Sequence, residues 1–183
     1  MTELKEVFGS LNVPQELASS FFNSEKRKSI EQKLASAGNA FSLDAIESDM
    51  NALTRSLLSL GASHGDNIAI YGIDYSDALN LYLAAGQVGV NVVNLSSSNN
   101  IVEFHEEVAR SKSRFVFFAE SAHSEFGEGY LDDLFITATN GFPECAIVKG
   151  KKNNNQGVVI TWNEFQKLER FATNWEVGLL RVV

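Results

Sequence analysis

Residues 41–95 read FSLDAIESDMNALTRSLLSLGASHGDNIAIYGIDYSDALNLYLAAGQVGVNVVNL, and the periodicity changes twice along this run. Leu43, Ile46, Met50, Leu53, Leu57 and Leu60 recur at spacings of 3, 4, 3, 4 and 3, which draws one continuous apolar stripe along a helix. Ser42 stands where an N-cap belongs. Gly61 stands just past the stripe, where a C′ glycine stops a helix by taking a left-handed conformation. Gly65-Asp66 turns the chain, and Asn67-Ile-Ala-Ile-Tyr71 reads as a short strand. Asp74, followed three residues later by Asp77, caps a second helix over 75–88 and puts acids at its positive end. Ala78, Leu79, Leu81, Leu83, Ala84, Ala85 and Val88 lie on nearly every side of that helix, so it is expected to be covered on more than one face. Val90–Leu95 is the next strand.

The alternation continues outward. Asn100 with Glu103 forms a capping-box-like start, and Ile101, Phe104, His105 and Val108 follow at i, i+3, i+4 and i+7. Arg114-Phe-Val-Phe-Phe118 is a third strand whose unbroken apolar run suits a parallel sheet covered on both sides. A helical stretch with Phe126, Tyr130, Leu134 and Ala138 leads to a fourth strand, Cys145-Ala-Ile-Val148. Lys149–Gly157 reads as a polar, flexible loop, with Gly150–Gly157 a surface hairpin. Val158-Val-Ile160 is a short strand, and Thr161 with Glu164 makes a capping box for a helix running to about Phe171. On the N-terminal side, Pro14 opens a short helix with Leu17, Phe21 and Phe22, and residues 29–41 read as a small hairpin around Ala35–Asn39. Strands alternating with helices at this spacing predict an α/β fold: an open, mostly parallel doubly wound sheet with helices on both faces.

Composition narrows the function classes. A chain of 183 residues is long enough to bury about 70% of the surface its unfolded form exposes, and 44% hydrophobic with 21% charged residues is the balance of a globular protein. A formal net charge of −8 argues against nucleic acid and anionic membrane as partners. No apolar run approaches the roughly 18 residues of a membrane span, and MTELKEVFGS lacks the apolar core of a secretory signal. Cys145 is the one cysteine and forms no internal disulfide, which fits a reducing compartment such as the cytoplasm.

A search for chemistry yields no catalytic, cofactor-binding or metal-ligating set. After Tyr71 the chain reads Gly72-Ile-Asp-Tyr-Ser-Asp77, one glycine and acids where a dinucleotide fingerprint needs three glycines. Gly150-Lys-Lys-Asn-Asn-Asn-Gln-Gly157 fails the phosphate-loop spacing. Of His64, His105 and His123, His105 lies on the apolar stripe of its helix with Glu103, Glu106 and Glu107 nearby, and with no second His or Cys at ligand spacing it reads as a packed helix residue. Cys145, inside an apolar strand, reads as a small core residue. Ser96-Ser-Ser98 follows a strand at the end where open sheets place ligands, yet nothing local supplies a base, and there is no Gly-x-Ser-x-Gly elbow.

The run Phe41-Ser42-Leu43, the striped helix and Leu60-Gly-Ala-Ser-His-Gly-Asp-Asn-Ile-Ala-Ile70 together resemble the first subdomain of the adenylate-forming (AMP-binding) superfamily. That superfamily includes acyl-CoA synthetases, coumarate–CoA ligases and luciferase. Leu83–Val90 and Val93-Asn94 follow its next helix and strand, Ile101–Glu103 resembles its x-x-Glu-Ile/Leu helix, and Trp162–Leu168 its Trp/Tyr-x-Glu-Leu helix. Two positions depart: Asp74 stands for the usual Asn after the first strand, and Leu95 for the usual Pro after Asn94. The family's phosphate loop, aromatic-Gly-x-Thr-Glu motif, ribose-binding Asp, hinge and late catalytic Lys have no counterpart here. The resemblance therefore implies a lead-in segment (1–28), an α/β subdomain like the first part of such a ligase (29–171) and a divergent apolar tail (172–183). It implies an N-terminal, non-catalytic portion of an acid–CoA ligase, inactive alone, with ATP, Mg and CoA belonging only to a full-length enzyme. Its partners would be the remaining domains of that ligase. Two other readings stand beside it: a free-standing truncated homologue acting as an interaction or scaffold domain, and an unrelated small-ligand-binding α/β domain. None of these readings identifies an acyl substrate.

Overall fold

The computed structural model describes residues 43–95, 101–119, 126–127, 129–137, 142–150 and 157–172. The sequence-predicted N-cap at Ser42, the cap at Asn100, the hairpin over 29–41 and the short helix after Pro14 lie outside them. In chain order the elements are α1 (Leu43–Ser59), β1 (Asn67–Tyr71), α2 (Tyr75–Val88), β2 (Asn91–Asn94), α3 (Ile101–Ser111), β3 (Phe115–Phe118), α4 (Tyr130–Thr137), β4 (Cys145–Val148), β5 (Val159–Thr161) and α5 (Trp162–Lys167), followed by a 3-10 turn (Leu168–Phe171). The chain divides into two compact units. Among the described residues, one holds 43–64, 75–89 and 168–172, and the other holds those of 65–74 and 90–167.

In the first unit, α1 buries four positions of the predicted stripe, Ile46, Met50, Leu53 and Leu57, while Leu60 is half-buried just past its end. The helix stops as its glycine requires. Gly61 has φ 94°, its N–H donates to the Leu58 carbonyl at 3.0 Å, and the Ala62 N–H donates to the Leu57 carbonyl at 2.9 Å. This pair of bonds is the Schellman motif, which satisfies carbonyls that the helix end would otherwise orphan. Leu79, Leu81, Leu83, Ala84, Ala85 and Val88 of α2 are buried, and they spread over more than one face as expected. A polar link ties α1 to α2. The buried Thr54 hydroxyl lies 2.8 Å from the Met50 carbonyl and 3.0 Å from Gln87 Oε1. The 3-10 turn packs on α1, where Arg55 Nη2 meets Glu169 Oε2 at 2.8 Å.

The second unit is a five-stranded sheet in the order β2-β1-β3-β4-β5, with every neighbouring pair parallel. Successive side chains of a strand point to opposite faces, and the register sorts them cleanly. Ala69, Tyr71, Val116, Phe118, Ala146, Val148 and Val159 share one face, where they form a core cluster with Phe104 and Val108 of α3 and Tyr130, Leu131 and Leu134 of α4. On the other face Phe117 meets Trp162 and Phe165 of α5 edge to face, with ring centroids 6.0 and 5.2 Å apart. Helices thus lie on both faces, and β3 and β4 are buried along their whole length, as in other parallel sheets covered on both sides.

One sequence-based expectation is corrected. The surface hairpin expected at Gly150–Gly157 does not join β4 to β5, because these strands run parallel (Ala146↔Val159, Ile147↔Ile160, Val148↔Thr161). A two-stranded hairpin joins antiparallel strands, whereas parallel neighbours need a connection that returns the chain to the starting end. The strand edges also move by a residue: β5 begins at Val159 and ends at Thr161, which is at once the last strand residue and the cap of α5. The predicted capping box is present in both directions. The Thr161 N–H donates to Glu164 Oε2 at 2.7 Å, and the Glu164 N–H donates to Thr161 Oγ1 at 3.2 Å.

Gly157 precedes β5 with φ 71°, and a Cβ built there overlaps the Phe135 ring. Gly157→Ala is therefore expected to destabilise by about 1–3 kcal/mol through left-handed backbone strain and the overlap. Urea unfolding checks this. In a Phe135→Ala background the overlap disappears while the backbone strain remains, so the loss should shrink without vanishing.

Candidate functional site

Open parallel sheets bind ligands beyond the carboxyl ends of their strands, at the point where the strand order reverses. Here that point lies between β1 and β3, since β1 leads to β2 on one side and β3 sits on the other. Gly72, Ile73 and Asp74 follow β1, Ala119 follows β3 and Lys149 follows β4. The ladder extends into these residues: the Ala119 N–H donates to the Tyr71 carbonyl and the Lys149 N–H to the Phe118 carbonyl, both at 2.9 Å.

The charged side chains at this end are brought together across the sheet. Lys149 Nζ lies 2.5 Å from Asp74 Oδ2, and the same ammonium sits 5.6 Å from the centre of the Trp162 ring. An ammonium held by a carboxylate and an aromatic face is already compensated. The serine loop 96–98 and most of the Gly150–Gly157 loop lie outside the described residues.

At the amino ends of the strands a second ion cluster closes the sheet. Arg114, just before β3, reaches Asp66 before β1 at 2.5 Å and Glu144 before β4 at 2.8 Å. The contact with Glu144 is a two-pronged fork, because Arg114 Nε also donates to Glu144 Oε1 at 2.9 Å. The guanidinium is raised above its ordinary pKa, first by its bonds to Glu144 and then by those to Asp66. Glu144 is held below the usual carboxylate range, chiefly by the hydrogen bond from Arg114.

The sign follows from that direction. A carboxyl with a lowered folded pKa contributes stability above its unfolded value, about 4.3 for Glu, and loses it as pH falls through the folded value. The stability gap between the wild type and Glu144→Gln is expected to be full near pH 6 and to close progressively below about pH 4. With the Glu144 side chain 45% exposed, solvent screening keeps the gap within about 1 kcal/mol. Denaturant titrations of both proteins at the two pH values test it.

Among the described residues that the sequence singled out for chemistry, Cys145 and His105 fall in packing environments, while His123 lies outside the described residues. Cys145 is buried, and burial pushes its thiol up to about 11, far from the lowered values of reactive thiolates. His105 sits partly buried on α3, its pKa lowered by burial against opposing effects of the Asp133 carboxylate and the Tyr130 backbone. Glu103, Glu106 and Glu107 do not gather around it: among the described residues no three of His, Cys, Asp and Glu are placed to hold a metal ion. His64 lies beside Gly89, whose positive φ ends α2, so closely that a Cβ there would overlap the imidazole. Sequence reasoning missed the Arg114 cluster and the Lys149–Asp74 pair. Their partners stand 30 to 75 residues apart, and no local pattern marks them. Among the described residues no helix is long and apolar enough to cross a membrane.

No family profile matches the chain, and no curated protein matches it in sequence. Solved structures do. The coronafacic acid ligase of Pectobacterium brasiliense superposes with a TM-score of 0.58 at 17% identity, over 69% of this chain and 24% of that one. A natural red-emitting luciferase of Phrixothrix hirtus gives 0.53 at 16% identity, over 76% of this chain and 31% of that one. The anthranilate CoA ligase AuaEII, solved with anthranoyl-AMP, gives 0.54 at 12% identity, over 69% and 22%. Identities this low establish shared architecture. The chain carries the α/β fold of one portion of acyl-CoA ligase and luciferase structures, and it spans less than a third of the length of each of these three.

Proposed function

We propose that this chain is the N-terminal, non-catalytic portion of an ATP-dependent acid–CoA ligase-like enzyme, a member of the acyl-adenylate-forming group, and that it is inactive alone. The observation that carries the reading is a coincidence of two signals. The run Leu60–Ile70, which resembles the family's Gly-Val-x-x-Gly-Asp turn and strand, forms a helix end, a turn and β1 in a chain whose fold superposes on ligases of that group. The chain's role in this reading is scaffolding: it supports one side of an acyl-adenylate site built by the remaining domains, which are its partners.

Adenylation requires preorganised donors and cations around a triphosphate and a carboxylate. In this reading the chain is not expected to hold such a site by itself. Arg114 and Lys149 are both engaged with carboxylates, and the family's phosphate loop and catalytic Lys have no counterpart in the sequence. ATP, Mg and CoA are assigned to the remainder of the enzyme. The setting is cytoplasmic, in keeping with the lone, buried Cys145.

The test is acid-dependent ATP–pyrophosphate exchange by the isolated 183-residue chain, paired with the size of the native species in source cells by immunoblot. No exchange, together with a larger native species that does exchange, supports the proposal. Acyl-adenylate formation by the isolated chain overturns the inactivity. A native species of 183 residues that captures a full-length synthetase would favour the free-standing interaction domain instead. Binding of ATP alone to the isolated chain would favour an unrelated small-ligand binder.

A further inference from the structure

We draw no further inference here: the strongest candidate, the edge strand β2 with its Asn91-Val-Val-Asn94 row, carries nothing because nothing among the described residues shows what covers it.

Discussion

Replacing Phe104 by alanine is expected to cost about 3–5 kcal/mol of unfolding free energy. The side chain is fully buried, and it is the knob that α3 sets into the sheet. Its ring lies 5.0 Å from Tyr71 in an edge-to-face arrangement, 5.6 Å from Phe118 and 4.8 Å from Phe126. Truncation removes the apolar area and leaves a cavity among rings that cannot all collapse into it. It also loses several aromatic pairs, each worth about 0.5–1.5 kcal/mol beyond area. Domains of this size are stable by only about 5–15 kcal/mol, so the variant should lose a large share of its stability at an unchanged denaturant slope. Phe104→Leu keeps most of the volume and should cost clearly less. Val102, two residues earlier and 59% exposed, is the control: Val102→Ala should stay within about 0.5 kcal/mol. A Phe104→Ala loss no larger than the control's would contradict the packing of α3 on β1 and β3.

Leu57→Ala is expected to cost about 2–5 kcal/mol in the other unit, and Leu53→Ala a loss in the same range. Leu57 is fully buried on the α1 stripe, and its carbonyl accepts the Ala62 N–H that locks the Schellman turn. Apolar contact between these two positions commonly accompanies the motif, and Ala62 is itself buried. Truncating Leu57 therefore weakens both the stripe and the end of the helix. Gly61→Ala separates the two effects: nothing crowds a Cβ at that position, so its cost is the left-handed backbone alone, about 1 kcal/mol. Unchanged stability of Leu57→Ala in a urea melt would refute the assignment of the stripe to the core.

The amino-acid sequence determined the elements whose physics is local. The 3-4-3-4-3 spacing of α1 needs only the helical repeat to place Ile46, Met50, Leu53 and Leu57 on one side. Gly61 stops α1 because a left-handed residue there costs glycine little. Thr161 and Glu164 cap α5 because they stand three residues apart, the reach of a capping box. The unbroken apolar runs Phe115–Phe118 and Cys145–Val148 announced a sheet covered on both faces, and alternation with helices announced a parallel one. The resemblance carried by Leu60–Ile70 was legible for the same reason, since it is a pattern of packing and turning residues within a short run.

Tertiary structure decided what depends on residues far apart in the chain. The order β2-β1-β3-β4-β5 is not written in any window of the sequence. It is set by which faces can be buried together once the crossovers close. The connection before β5 shows the limit: a polar run between two short strands looks the same whether the strands return antiparallel or parallel, and only the pairing with β4 settled it. The charged groups show it again. Arg114 gathers Asp66 and Glu144 at the amino ends of the strands, and Lys149 meets Asp74 at the carboxyl ends. The register of the sheet brings these side chains within hydrogen-bond reach, and that register is a property of the assembled sheet. Local periodicity fixes which residues form a helix or a strand, while long-range pairing alone fixes which of their side chains meet.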